Sequence, residues 1–255
     1  MKSKFAPAIA LALWITTMGT ASAADLAAVP YRATGVAAIY NWSGFYIGIN
    51  GGGGSGHNCW DFVDPTTGGL VNEGCHNATG GTAGGQIGYR EQAGNWVFGF
   101  EAQGNWADFS GDNISLVFPG SAVVTGDRNR TRIDAFGLFT GQVGYAWNNA
   151  LFYVKGGGAV VGERYDIFAA PGTPGAGVLQ AFGRETRWGG TVGAGLEFGF
   201  APNWSVGVEY DHLFLNVSTI GFTTSAGVAF QSDSIRQDVD MALVRVNYRF
   251  GVPAY

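Results

Sequence analysis

Six charged residues stand where a proton-transfer site could be built: Glu101, Glu197 and Glu209 with Lys155, Arg245 and Arg249. Facing carboxyl groups can act as general acid and base, but the same groups paired with cations would only neutralise one another in a crowded interior. His57 and His76 flank Cys59 and Cys75. The imidazoles could ligate a metal or a haemin iron, and the cysteines could form a disulfide across a loop of about 15 residues, worth roughly 3 kcal/mol of chain entropy. The cysteine spacing contains no C-x-x-C pair, which argues against zinc. Arg128, Arg130, Arg132, Arg184 and Arg187 could grip phosphate, which arginine binds bidentately; Asp108, Asp112, Asp127 and Glu185 among them could equally hold them in salt bridges. "GGGGSG" at 51–56 is followed by His57 and Asn58 rather than Lys and Ser or Thr, so it is no phosphate loop.

The elements that would position these residues are strands. From Gly44 onward, alternation with a period of two recurs in eight segments. Phe45, Ile47 and Ile49 share a face, as do Trp96, Phe98 and Phe100, and Val244, Val246 and Tyr248. Such alternation marks strands with one apolar face. The apolar runs are about 9–13 residues long, which suits a tilted strand crossing a bilayer better than a strand of a soluble sheet. The opposite faces collect Glu101, Glu197, Glu209, Asp211, Arg90, Arg132, Lys155, Arg245 and Arg249. Short joints, "EQAGN", "AWNNA" and "APN", alternate with long ones at 56–81, 107–131, 163–187 and 215–238. An antiparallel membrane barrel makes short turns on one side and long loops on the other. Trp96, Tyr145, Phe200, Trp204, Tyr248 and Phe250 fall beside the short joints, and Trp106, Trp188 and Phe214 beside the long ones. They form two interfacial girdles. The glycine run reads as part of the first strand, where small residues suit a narrow, curved wall.

Composition agrees. Lys2 and Lys4, the apolar "PAIALALWITTM" and "ASA" at 21–23 have the layout of a secretory signal peptide. Removing it leaves 12 basic against 19 acidic residues, a net charge of −7, unfavourable for nucleic acid. Aromatics at 14% and charged residues at 13% exclude a disordered chain. No later stretch reaches 18 apolar residues, as a membrane-spanning helix would require.

The "NWSGFYIG" opening after Ala-Asp-Leu, "GGQIGY", "VGAGLEFGF" and the closing "LVRVNYRF" resemble the outer-membrane immunogenic protein family of alphaproteobacteria, related in shape to the OmpA-type membrane domain. The resemblance covers essentially the whole mature chain. It implies an eight-stranded, surface-exposed, antigenic outer-membrane barrel and supplies no catalytic residues. The tail "GVPAY" departs from the usual ending, so either Phe250 or Tyr255 is the aromatic residue expected to be read by the outer-membrane assembly machinery.

The expectation is therefore an all-β protein: an eight-stranded antiparallel transmembrane up-and-down β-barrel with short periplasmic turns and four long extracellular loops. Residues 1–23 would be the signal peptide, 24–41 a flexible periplasmic segment and 42–255 the barrel, with no periplasmic domain after the last strand. The expected role is structural, non-enzymatic and without cofactor. The barrel, monomeric or loosely associated, would contact outer-membrane lipid and lipopolysaccharide through Arg128, Arg130, Arg132, Arg184 and Arg187. Two alternatives stay open: a narrow small-solute channel, and a loop receptor using His57 and His76 for haemin or another small ligand or host factor. A deacylase site is not expected, because Phe214 stands where the partner of His212 would need a serine.

Overall fold

The computed structural model describes residues 40–117 and 126–251. The signal peptide, most of the N-terminal segment and Tyr255 lie outside them. Eight strands form one closed antiparallel barrel in sequence order: β1 (Gly44–Val63), β2 (Leu70–Ala93), β3 (Trp96–Ile114), β4 (Arg128–Trp147), β5 (Ala150–Phe168), β6 (Leu179–Ala201), β7 (Trp204–Thr224) and β8 (Ala229–Arg249). Closure comes from β8 pairing with β1, from Tyr46 opposite Arg249 to Phe62 opposite Asp233. Every strand thus has two neighbours, and the ring closes on itself.

Three two-residue turns join the strands at one end, as the short joints require. Gly94 and Asn148 adopt left-handed φ values of 64° and 53° there, a conformation that glycine and asparagine tolerate. The opposite end differs from expectation. The strands are 19–24 residues long, about twice the apolar runs. Consequently β1 and β2 are joined only by residues 64–69, and β7 and β8 by 225–228. Most of the residues assigned to long loops continue the sheet instead. Alternation fades there because the outer face turns polar while the ladder hydrogen bonds persist, so hydropathy loses the strand where the backbone does not.

The exterior carries an apolar band. Phe45, Ile49, Phe100, Phe139, Val154, Val192, Val208 and Val244 are all more than half exposed. Trp96 and Tyr145 stack edge-to-face at 5.6 Å at the turn end, as do Trp204 and Tyr248 at 5.1 Å. Trp106, Trp188 and Phe214 close the other edge of the band. From Trp96 to Trp106 along β3, a rise of about 3.3 Å per residue and a tilt near 40° give a height of roughly 25 Å, the hydrophobic thickness expected of an outer-membrane barrel. Beyond Trp106 and Trp188 the strands form a polar collar.

The glycine run lies inside β1. A Cβ on Gly52 would collide with the Ala242 carbonyl oxygen, and one on Gly54 would press on Phe109 and Met241. Gly51 and Gly53, on the outer face, have more room. Among several register shifts, those between Trp106 and Phe109 and between Ile133 and Ala135 reset the alternation near the band's edge. The second turns Ile133 into the interior, where it is 1% exposed, and leaves Arg132 on the outside. Strict alternation assigns these two residues to the opposite faces, because it cannot register an extra residue in a strand.

Candidate functional site: the barrel lumen and its collar

The lumen is filled in layers. At the turn end Tyr40, Trp42, Val97, Ala146, Leu151 and Tyr153 form an apolar stopper. Trp42 N–H donates to Gln92 Oε1 at 2.9 Å, and Tyr40 N–H to Asn149 Oδ1 at 3.2 Å. Arg249 belongs to this layer rather than to the carboxylate network proposed for it. It donates to the carbonyls of Ser43 and Pro202, both at 3.1 Å, and its guanidinium lies over the Tyr40 ring. Its position at the very end of β8 puts it below the carboxylates.

Above the stopper sits an ionic layer. Glu101, Lys155, Glu197, Glu209 and Arg245 all face inward and are buried. Lys155 Nζ lies 2.7 Å from Glu209, 3.1 Å from Asp211 and 3.7 Å from Glu101. Arg245 bridges Glu101 and Glu209, while Arg90 pairs with Glu197 at 2.9 Å. Three cations thus oppose four carboxyl groups. Tyr46 donates to Glu101 at 2.7 Å and Tyr153 donates to Glu209; Asn247 and Ser205 donate to Glu197. The tyrosines were missed from sequence. They lie on the inward parity of their strands, and a buried hydroxyl among carboxylates is the signal that would have found them.

A second apolar layer follows: Phe109, Ile133, Phe136, Leu138, Val161, Leu213, Val239 and Met241 among others. The collar beyond it is also filled. Arg187 is 3% exposed and lies inside, 3.4 Å from Glu163 and 3.1 Å from Glu185, donating also to Gln237 and the Ile235 carbonyl. It is therefore removed from the outer arginines, because its strand parity is opposite to that of Arg184. Above it Trp60, Tyr165, Ile167, Phe222 and Ile235 make a third apolar cluster. Burial raises the Glu163 carboxyl to about 7 despite the Arg187 pair. Burial, with Glu73 nearby, raises Asp233 to about 8. Burial pushes the His76 imidazole below its usual value.

The two histidines do not converge. His57 is on the outer face of β1, with Nδ1 2.8 Å from Asn77 Oδ1. His76 is inside the wall, 2.7 Å from Asn113 and 3.0 Å from Thr131. Both are in strands, so the sheet wall separates them and a shared ligand is ruled out by geometry. Cys59 and Cys75 are opposite one another on β1 and β2 and form a disulfide. It links two paired strands rather than stapling a loop.

The remaining arginines line the exterior of the collar. Arg132, Arg164 and Arg184 are in register on β4, β5 and β6, so three guanidinium groups stand side by side on one outer face. Arg164 was missed because its neighbours in sequence are unremarkable; only the strand register aligns it with the other two. Arg184 is two outward positions beyond Trp188, roughly 10 Å above the apolar band at the usual rise and tilt. Arg164 is 3.4 Å from Asp134 and Arg128 is 3.8 Å from Asp112, all partly exposed. Arg128 and Arg130 both stack on Phe168.

The family model for the outer membrane protein beta-barrel domain matches residues 13–250. The 31 kDa outer-membrane immunogenic proteins of Brucella melitensis and Brucella suis are each 28% identical over 216 residues, covering 83% of this chain and 85% of theirs. Among solved structures, the outer membrane protease OmpT of Escherichia coli matches with a TM-score of 0.50 at 11% identity, over 83% of this chain and 98% of that one. At that identity the likeness is one of fold.

Proposed function

Because this chain belongs to the outer membrane protein β-barrel domain family, and is thereby an outer-membrane barrel, we propose that it works as a closed structural barrel that engages lipopolysaccharide and presents a rigid collar outside the cell. The observation that carries this reading is the filled lumen. The lumen holds an ionic layer between two apolar layers, and a third apolar cluster caps the collar. Buried charges in such a layer are tolerable because each is paired. The channel reading finds no support in that packing. The paired-histidine receptor loses its basis because His57 and His76 face opposite sides of the wall. The ionic layer is likewise poorly suited to catalysis, since its carboxylates are enclosed and have no approach for a substrate.

Lipopolysaccharide contact rests on Arg132, Arg164 and Arg184. Their height matches the phosphate-bearing zone above the outer leaflet, where arginine forks can bind phosphate bidentately. The collar would supply the exposed surface that a host immune system meets, in keeping with the name of the Brucella relatives. The test is single-channel recording of refolded protein in a planar bilayer. Silence in salt is expected. Steady, reproducible openings would overturn the closed-barrel reading.

A further inference from the structure

The outer face of the collar brings together three groups whose spacing along the chain contains no C-x-x-C pair. A ligating nitrogen of His57 and the sulfurs of Cys59 and Cys75 all lie within 4.8 Å of one another. Antiparallel register, rather than proximity along the chain, unites them: Cys59 faces Cys75 across the β1–β2 ladder, and His57 is two positions along β1 on the same outer face. His57 Nδ1 is 2.8 Å from the Asn77 amide oxygen. An amide oxygen accepts only, so Nδ1 carries the proton and the Nε2 lone pair is free. That Nε2 is 3.5 Å from Cys59 Sγ. A histidine held by a carbonyl through one nitrogen and offering the other is the arrangement by which neighbouring groups orient metal-bound imidazoles.

We propose that the Cys59–Cys75 disulfide, once reduced, becomes a zinc site with His57 Nε2 and the two thiolates as ligands. Zn–S bonds of about 2.3 Å and a Zn–N bond of about 2.0 Å imply a tetrahedral N···S edge of about 3.5 Å, which is the separation already present between His57 and Cys59. Little movement of the imidazole is needed. Arg236 stands opposite Cys59 on β8 and Asp238 opposite His57. The first, which is 3.4 Å from Asp61, favours the thiolate by its charge; the fourth coordination position is left to water. The chemistry balances with an external dithiol. The dithiol transfers two electrons and two protons to the protein disulfide and itself closes to a disulfide. Zinc then displaces the two thiol protons. In the oxidised protein both sulfurs are bonded to each other and neither is an anionic ligand, so metal affinity is gated by redox state.

The experiment uses the full barrel refolded in detergent, oxidised or reduced with a dithiol that is then removed without air, and titrated with Co2+ as a spectroscopic stand-in for Zn2+. The expected result is one Co2+ per reduced barrel, with a thiolate charge-transfer band and tetrahedral visible bands that Zn2+ abolishes, and no such bands in the oxidised protein. Asn77→Ala should weaken binding about 10- to 100-fold through loss of imidazole orientation. His57→Ala, which keeps both thiols, should weaken it further and change the visible bands. The proposal is overturned if reduced wild type shows no charge-transfer band while heat-dependent gel mobility reports a folded barrel, or if His57→Ala binds Co2+ as tightly as wild type. Loss of the folded form on reduction would overturn it too, since the site needs β1 and β2 in register.

Discussion

At the scale of single residues, the ionic layer separates two arginines that look alike in sequence. Arg245 is fully enclosed and bridges Glu101 and Glu209, whereas Arg249 donates to two backbone carbonyls near the turn end. Replacing Arg245 by Met removes the shared cation and leaves two buried carboxylates short of a partner. Such losses cost about 3–5 kcal/mol. Arg249→Met forfeits charge-assisted bonds to neutral acceptors, worth about 1–3 kcal/mol. Urea unfolding in micelles should therefore rank Arg245→Met well below Arg249→Met. Equal losses would mean that the ionic layer is not held as a unit. The assignment of Glu101, Lys155, Glu197, Glu209 and Arg245 to one interior was legible from parity alone. The place of Arg249 was not, because parity gives a face but no height along the barrel.

At the scale of elements, the collar and the membrane band of one strand should respond differently to pH. The collar's Glu163 titrates near 7 and Asp233 near 8, both raised by burial. A carboxyl group whose pKa is higher folded than unfolded binds more protons in the folded state between the two values, so its contribution is complete below the unfolded pKa and declines as pH rises through the folded one. Collar stability should accordingly fall between about pH 4 and pH 8. Amide hydrogen exchange, corrected for the intrinsic pH dependence, should show collar strands opening more readily at pH 9, with the apolar band unchanged. Glu163→Gln should flatten part of that response. A collar equally protected at both pH values would contradict the burial argument. His76, lowered by burial, acts in the opposite sense and adds destabilisation only towards acid.

For the whole molecule, the row Arg132–Arg164–Arg184 makes one side of the collar cationic in a chain of net negative charge. Changing all three to Ala should weaken binding of purified lipopolysaccharide about tenfold or more and make what remains less dependent on salt. Thermal stability should hardly move, because exposed arginines contribute little to folding. Unchanged lipopolysaccharide affinity would remove this row from the proposed role. A comparison with Arg187→Ala is informative: that residue is buried, so its loss should disturb the collar without acting directly on the lipid contact.

Taken alone, the sequence determined the architecture. An alternation of apolar and polar residues with a period of two admits one way to satisfy every backbone group in a bilayer: pair all the strands and close the ring. The apolar runs, short turns and aromatic edges then set eight strands and their orientation. Only the tertiary structure decided what depends on register and bulges. Those features put the ends of β1 and β2 into one ladder, placed His57 outside and His76 inside, and aligned Arg164 with Arg132 and Arg184. The physical reason is that hydrophobic patterning records which face a residue shows to lipid. It carries no information on which residue of the next strand stands beside it, and in the collar, where both faces can be polar, it falls silent while the hydrogen-bonded ladder continues.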